Sequence, residues 1–269
     1  MTRDERGERD FGGFAGALPP EAFADCLLDA TALFPGDKEG NASCQADAIY
    51  DGAQWLVCGT LGLAFPSSAE SILSLADRFS VPGKRICVDV NWRPVFWPDV
   101  VAGRPGAEDA ARNAVLDFAS RADVVKLTDE EAEWLLGIPP DRALENPSVV
   151  AESFPDADAV LVTGGERGAA YSVFGHCGRV EPFIVKVKET TGAGDSFTAG
   201  FLHALLSLGG TEQLDSGFSL DERPLVIKDM LRFASAAGAL TCTNEGAIAA
   251  QPSFDEVESF LIHGEKVWR

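Results

Sequence analysis

Between residues 54 and 163 the chain alternates short apolar runs with longer amphipathic stretches. The apolar runs are Gln54–Cys58, Arg85–Val90, Ala122–Leu127 and Asp158–Thr163, each about thirty residues or a little more from the next. Runs this short and this apolar, bounded by turn residues, predict strands buried on both faces. Helical periodicity fills the gaps. Ser67-Ser68-Ala69-Glu70 has the form of a capping box ahead of Ile72, Leu75, Ala76 and Phe79 on one face, and a second helix is predicted across Glu108–Arg121. Strand–helix–strand repetition predicts an α/β fold with a mainly parallel sheet covered by helices on both faces.

The pattern changes on either side of this block. Downstream, Phe197, Phe201, Leu205 and Leu208 recur at helical spacing, and Pro224–Cys242 reads as a long helix with small residues at Ala234, Ser235, Ala236, Ala237 and Gly238. Gly209–Arg223 is a polar loop, Thr241–Ser253 a second loop, and Phe254–Ile262 a closing helix. Upstream, residues 1–16 read as the end of a strand, a turn at Glu5-Arg6-Gly7 and a second strand through Asp10-Phe11. Pro19 to Asp51 is irregular, with a short helix expected near Glu21–Ala30 and a polar loop through Pro35-Gly36-Asp37.

Composition narrows the function classes. At 269 residues the chain is one domain, or one with a small appendage. A net charge of −20 argues against nucleic acid and anionic membrane surfaces as partners. It would also repel a phosphate ligand at long range, so such a ligand requires local N–H donors and Mg²⁺. No stretch reaches the ~18 apolar residues of a membrane span. The six cysteines lie apart without a C-x-x-C pair, several within apolar segments, which predicts reduced core thiols and a cytoplasmic location. Three histidines far apart in sequence predict no metal cluster. Met1-Thr2-Arg3-Asp4-Glu5-Arg6 lacks the apolar core of a secretory signal, and its acids disfavour a transit peptide.

In open α/β sheets ligands lie at the carboxyl ends of the strands, so the four strand ends carry the candidate chemistry. Gly59-Thr60-Leu61-Gly62 is permissive backbone with no acid or base. Asp89-Val90-Asn91-Trp92-Arg93-Pro94 reads either as a site edge or as an Asx turn packed by tryptophans. Lys126-Leu127-Thr128-Asp129-Glu130-Glu131 contains a Thr128-x-x-Glu131 capping box, with Asp129 and Glu130 expected to face solvent in the first helical turn. Thr163-Gly164-Gly165-Glu166-Arg167-Gly168 suits a hairpin turn.

The most informative stretch is Glu189-Thr190-Thr191-Gly192-Ala193-Gly194-Asp195-Ser196-Phe197. Small residues admit a ligand close to backbone, and the helix that follows presents free N–H groups and a positive dipole end to an anion. Asp195 stands where it could take a proton from a hydroxyl attacking a phosphate. The same residues also describe a plain helix start with threonine caps.

This run resembles the C-terminal signature of the PfkB/ribokinase family of sugar and nucleoside kinases. The resemblance covers nearly the whole chain and is most specific from Trp55 to Ser253. It implies a ribokinase-like three-layer sandwich over residues 17–269, with residues 1–16 as a partial β lid hairpin, since Gly7-Glu8-Arg9-Asp10-Phe11 is similar to a family lid segment. It implies Asp195 as general base and the N–H groups of Gly192, Ala193 and Gly194 as an anion hole. Glu131, in a run similar to the family's Asn-x-x-Glu, would serve Mg²⁺ and phosphate together with Asn91 and Thr128. Thr163, Gly165, Gly168, Ala237 and Gly246 would line the nucleotide site. Glu189, Thr191 and Ser253 would form a monovalent cation (K⁺) site, although the family usually has Asp where this chain has Glu189.

The implied substrates are ATP and a small sugar. The Asp89-Val90-Asn91-Trp92-Arg93 run is similar to fructokinase-like members, and a homodimer through the lid is a further expectation. Family members also carry an N-terminal portion with the first core strand, an early Asp and a Gly-Gly-Asn-like motif, none of which is found here. A truncated reading frame or a shortened, catalytically impaired member is therefore expected, with low stability from an unpaired position in the sheet. Two alternatives stand beside the sugar kinase: a non-catalytic protein binding nucleotide or a partner, and a nucleoside kinase. Gly83-Lys84-Arg85 lacks the spacing of a Walker A motif, and protein-kinase signatures are absent.

Overall fold

The computed structural model describes residues 2–3, 9–10, 26–29 and 50–263. The turn at Glu5-Arg6-Gly7 and the loop at Pro35-Gly36-Asp37 lie outside the described residues, as does most of the predicted helix Glu21–Ala30. Thr2–Arg3 (β1) pairs antiparallel with Arg9–Asp10 (β2).

The main sheet has six strands: Trp55–Gly59 (β3), Arg85–Asp89 (β4), Val124–Thr128 (β5), Ala159–Thr163 (β6), Ala169–Val173 (β7) and His176–Val180 (β8). Their spatial order follows the sequence, with β3 to β6 parallel and β7 and β8 added by antiparallel hairpins. Each parallel connection returns through helices: Pro66–Phe79 (α1), Ala107–Ala119 (α2) and Asp129–Leu136 (α3), joined by short helices at Pro140–Glu145 and Ser148–Ala151. The C-terminal half supplies Ala193–Ser207 (α4), Arg223–Thr241 (α5) and Phe254–His263 (α6).

Alternation along the strands decides which layer each residue joins. Ile86, Val88, Val125, Leu127, Val160 and Val162 turn to one face and pack with α1, α2 and α3. Cys87, Val124, Ala159 and Leu161 turn to the other, against Phe197, Phe201 and Leu205 of α4 and Leu231 and Ala234 of α5. The result is the three-layer sandwich. Burial on both faces explains why the strands read as near-continuous apolar runs. Burial also pushes the thiols of Cys58 and Cys87 up to about 12, so both remain protonated packing groups. Among the described residues no helix is long and apolar enough to cross a membrane.

Three expectations need correction, and one strand was not predicted. The polar loop Gly209–Arg223 contains a short helix, Thr211–Ser216. Helix α1 begins at Pro66, not behind a Ser67 capping box: Phe65 is the N-cap, and proline's fixed φ suits the first helical position. The Ser67 hydroxyl instead donates to the Leu28 carbonyl at 2.9 Å. Asp129 does not face solvent. It is 3% exposed and ion-paired with Arg167 from the β6–β7 turn. Strand β8 was not marked by the apolar pattern, because His-Cys-Gly-Arg-Val offers one buried apolar residue, Val180.

Candidate active site

Strands β3 to β6 are parallel and end on the same side of the sheet, and the first turn of α4 lies against β5, where a Cβ on Gly194 would come within 3.0 Å of Lys126 Nζ. Glycine is required at the start of that helix. Gly192, its N-cap, has φ +82°, and a Cβ there would sit 2.8 Å from the Ala247 carbonyl oxygen. The Ala193 N–H donates to the Thr190 carbonyl at 3.2 Å, closing the turn, and Ser196 N–H donates to the Gly192 carbonyl at 2.8 Å. Asp195, in the first turn, is exposed. Helices α4 and α5 approach closely: a Cβ on Gly200 would lie 3.0 Å from the Ala234 Cα, and one on Gly238 would lie 3.0 Å from the Ala193 carbonyl oxygen. The small residues of α5 therefore serve helix packing. The Thr241 hydroxyl donates to Ser196 Oγ at 2.7 Å and fixes the same contact.

Beneath the first turn of α4 lies a charge pair that the sequence reading passed over. Lys126, at the centre of β5, stands opposite Asp89 in the β4–β5 register. Its Nζ lies 3.0 and 3.1 Å from the two Asp89 carboxylate oxygens, and both residues are buried. Desolvating two charges costs several kcal/mol each, so such a pair persists only when well matched, and removing one partner costs about 3–5 kcal/mol. The signal for it was a single charged residue inside an otherwise apolar strand.

Glu131 completes the floor. The predicted capping box forms: Glu131 N–H donates to Thr128 Oγ1 at 3.1 Å, and Glu131 Oε2 accepts the Thr128 N–H at 2.8 Å. Its other oxygen accepts the Trp92 N–H at 2.7 Å, which joins the β4 end to α3. Asn91, just before, takes a left-handed φ of +42°, which asparagine tolerates, and its turn is packed by tryptophan: Trp92 stacks on Trp134 with centroids 3.8 Å apart. Arg93 donates to the Trp92 carbonyl and lies 3.9 Å from Glu131.

Burial is the largest influence on Glu131 and pushes its carboxyl above the ordinary 4.5, against the opposing pull of Lys126 and the two N–H donors. The native state therefore holds this proton to higher pH than the unfolded chain does. Stability from this group is fully present below 4.5 and falls as pH rises through the raised value. Measured as melting temperature across pH 4.5 to 7, wild type should lose ground relative to Glu131→Gln as pH increases. A difference that stays flat with pH would show that Glu131 is not held protonated by burial.

The remaining candidates fall into two groups. Thr163, Gly165 and Gly168 lie in or beside the β6–β7 turn, with Thr163 opposite Thr128 in the sheet. Glu189 is 1% exposed, and its Oε2 accepts the Gly246 N–H at 3.1 Å, so these two residues meet. Thr191 is half-buried in the same turn. Ser253 is placed as the cap of α6: its N–H and hydroxyl both reach Glu256 Oε2 at 2.8 Å, and its carbonyl accepts the Val257 N–H. Ala237 lines a cavity of about 190 Å³ between α4, α5 and α6, together with Gly200, His203, Phe233, Pro252 and Phe254. His203, Phe233 and Phe254 form an aromatic cluster with centroids 5.2 to 5.7 Å apart.

Comparison with known proteins agrees with this geometry. The family described as pfkB family carbohydrate kinase matches residues 23–253. Probable fructokinase-2 of Arabidopsis thaliana is 34% identical over 179 residues, covering 66% of this chain and 48% of that protein. The chain thus spans about half the length of that relative. Among solved structures, a fructokinase with bound ATP from Xylella fastidiosa superposes with a TM-score of 0.67 at 27% identity, covering 81% of this chain and 64% of the other. A fructokinase from Vibrio cholerae O395 in fructose-, ADP- and calcium-bound form superposes with a TM-score of 0.61 at 26% identity, covering 78% and 61%.

Proposed function

Because the chain belongs to the pfkB family of carbohydrate kinases, we propose that its cleft transfers the terminal phosphoryl group of ATP to a hydroxyl of a fructose-like sugar. The observation that carries this reading is the convergence of three features on one spot. An open helix N-terminus bears the exposed carboxylate Asp195, and β5 and the first turn of α3 bring Lys126 and Glu131 near it.

In this reading the sugar hydroxyl gives its proton to Asp195 as its oxygen attacks the terminal phosphorus. The new O–P bond forms while the bond from that phosphorus to the bridging oxygen breaks, and ADP leaves with the electron pair. N–H groups of Gly192 and Gly194 and the dipole of α4 stabilise charge on the transferring oxygens. Ala193 is held in its turn by Thr190 and contributes by shaping the loop. The donor set suits Mg²⁺, which keeps most of its waters and binds through one or two carboxylates plus substrate phosphates. Glu131, with Asn91 and Thr128 beside it, would hold it, and bound there it neutralises phosphate charge. The aromatic cavity between α4, α5 and α6 suits the adenine, and Thr163, Gly165, Gly168 and Gly246 border the nucleotide. Glu189 and Thr191 would face a monovalent cation. Free thiols among the described residues suit a cytoplasmic enzyme, and pairing through β1 and β2 would give a homodimer.

The test is ADP release with Mg-ATP over fructose, ribose and adenosine. Turnover should be fastest with fructose. Preference for adenosine would establish the nucleoside kinase instead. Nucleotide binding without turnover on any acceptor would overturn the catalytic reading in favour of a nucleotide-binding protein.

A further inference from the structure

Thr163, the last residue of β6, stands opposite Thr128 in the sheet, so the β6–β7 turn starts beside the first turn of α3. Arg167 reaches out of that turn to two carboxylates. One terminal nitrogen of its guanidinium pairs with Asp129 of α3. The other donates to Asp141, in the short helix Pro140–Glu145, at 3.1 Å. The Arg167 carbonyl in turn accepts the Arg179 guanidinium from β8 at 3.0 Å. One residue thus ties the turn to α3, to the short helix and to β8.

Asp129 is held from both sides. Its Oδ1 accepts the Glu130 N–H at 2.9 Å, and its Oδ2 takes the arginine. The turn also rests on this carboxylate. A Cβ on Gly164 would lie 3.0 Å from Asp129 Oδ2 and 2.6 Å from Leu144 Cδ1. Packing and charge therefore fix the same contact. The Asp129 side chain is 5% exposed, so the pair is not an ordinary surface ion pair, and a buried carboxylate left without its partner is costly. A guanidinium suits the bridge because its rigid fork presents separate nitrogens to two acceptors, which a lysine ammonium does not.

Building on the kinase reading above, in which this turn borders the nucleotide, we propose that Arg167 is a positioning residue for ATP. It acts through the turn and does not touch the nucleotide. By clamping Gly164 and Gly165 onto Asp129, it keeps the turn backbone in the one conformation that receives the nucleotide. Glu131 lies two residues beyond Asp129 in the same helical turn. The clamp therefore also fixes the nucleotide border relative to the carboxylate that would hold Mg²⁺. Glycine is needed at 164 because a side chain there would lift the turn off Asp129.

The experiment compares wild type with Arg167→Met in calorimetric binding of ADP and in steady-state kinetics with ATP and fructose, each read well below the variant's melting temperature. KM for ATP and Kd for ADP should rise about tenfold, while kcat and KM for fructose change by less than about threefold. A lowered melting temperature with unchanged nucleotide affinity would make the ion pair purely structural and overturn the proposal, as would equal losses for ATP and fructose. Arg167→Lys keeps the charge without the fork and should recover only part of the affinity. Full recovery would mean that charge alone matters and would overturn the positioning role. Asp129→Asn/Arg167→Met, which leaves no unpaired buried charge, serves if the single variant fails to fold, and it should show the same nucleotide-selective loss. Wild-type nucleotide affinity in that double variant would trace the effect to repulsion by a bare Asp129 and overturn the proposal. A wild type that binds no nucleotide would overturn the kinase reading itself, and the Arg167 assignment with it.

Discussion

Asp195→Asn is expected to lower kcat by about 10²–10⁴-fold, the usual contribution of a positioned base, with KM for ATP nearly unchanged. Asparagine has almost the shape of aspartate and is tolerated in a first helical turn, so α4 should keep its start. The stability cost is limited to the lost attraction between carboxylate and helix dipole, about 0.3–1 kcal/mol. Asp195 is exposed and lies on the outer side of the turn, whereas the helix is anchored by the buried Phe197 and Phe201. The variant should therefore separate catalysis from folding. Steady-state kinetics beside a thermal melt checks both. Unchanged turnover would remove Asp195 from the mechanism. Lost nucleotide binding would mean instead that the turn had been disturbed.

What the sequence made legible was local. Apolar strands at regular spacing, the Thr128–Glu131 capping box and the glycine run ahead of α4 each declare themselves within a few residues, because propensity, capping and turn chemistry act at that range. What it hid depends on partners distant in the chain. Asp129 looked like an exposed helix-start acid because its burial depends on Arg167, thirty-eight positions downstream. Lys126 looked incidental because Asp89 reaches it only through the β4–β5 register. The Gly192 conformation was foreseeable from the residue type, but the Ala247 carbonyl that demands it lies in a loop with no distinguishing pattern. The Ser67 error was of another kind. Two valid local signals competed, and Pro66 at the first helical position overrode the capping-box spacing. The site residues were found where a short motif and a strand end coincide. They were missed where one charged group sits inside an apolar run.

The β6–β7 turn offers a sharper test, because two of its glycines meet different constraints. Gly168 has φ +85° and ψ −150°, a region almost confined to glycine, and a Cβ there would lie 2.3 Å from the Val180 carbonyl oxygen and 3.1 Å from the Pro182 nitrogen. Both obstacles are backbone, so no side chain can swing aside. Its carbonyl also accepts the Gly164 N–H at 2.8 Å, which closes the turn. Gly168→Ala is therefore expected to cost about 3 kcal/mol or more, combining backbone strain with overpacking. Gly165 has φ +55°, but a Cβ there meets nothing within 4 Å. Gly165→Ala should carry only the left-handed penalty of about 1–2 kcal/mol. Urea unfolding of both variants, read as midpoint shifts at constant m-value, measures the difference. Equal costs would mean that the Val180 strand yields easily. The same pair bears on function. If the turn borders the nucleotide, the exposed Gly165 side should weaken ATP binding when methylated, while Gly168→Ala should act chiefly through loss of folded protein. ATP affinity measured well below the melting range of each variant separates these two effects.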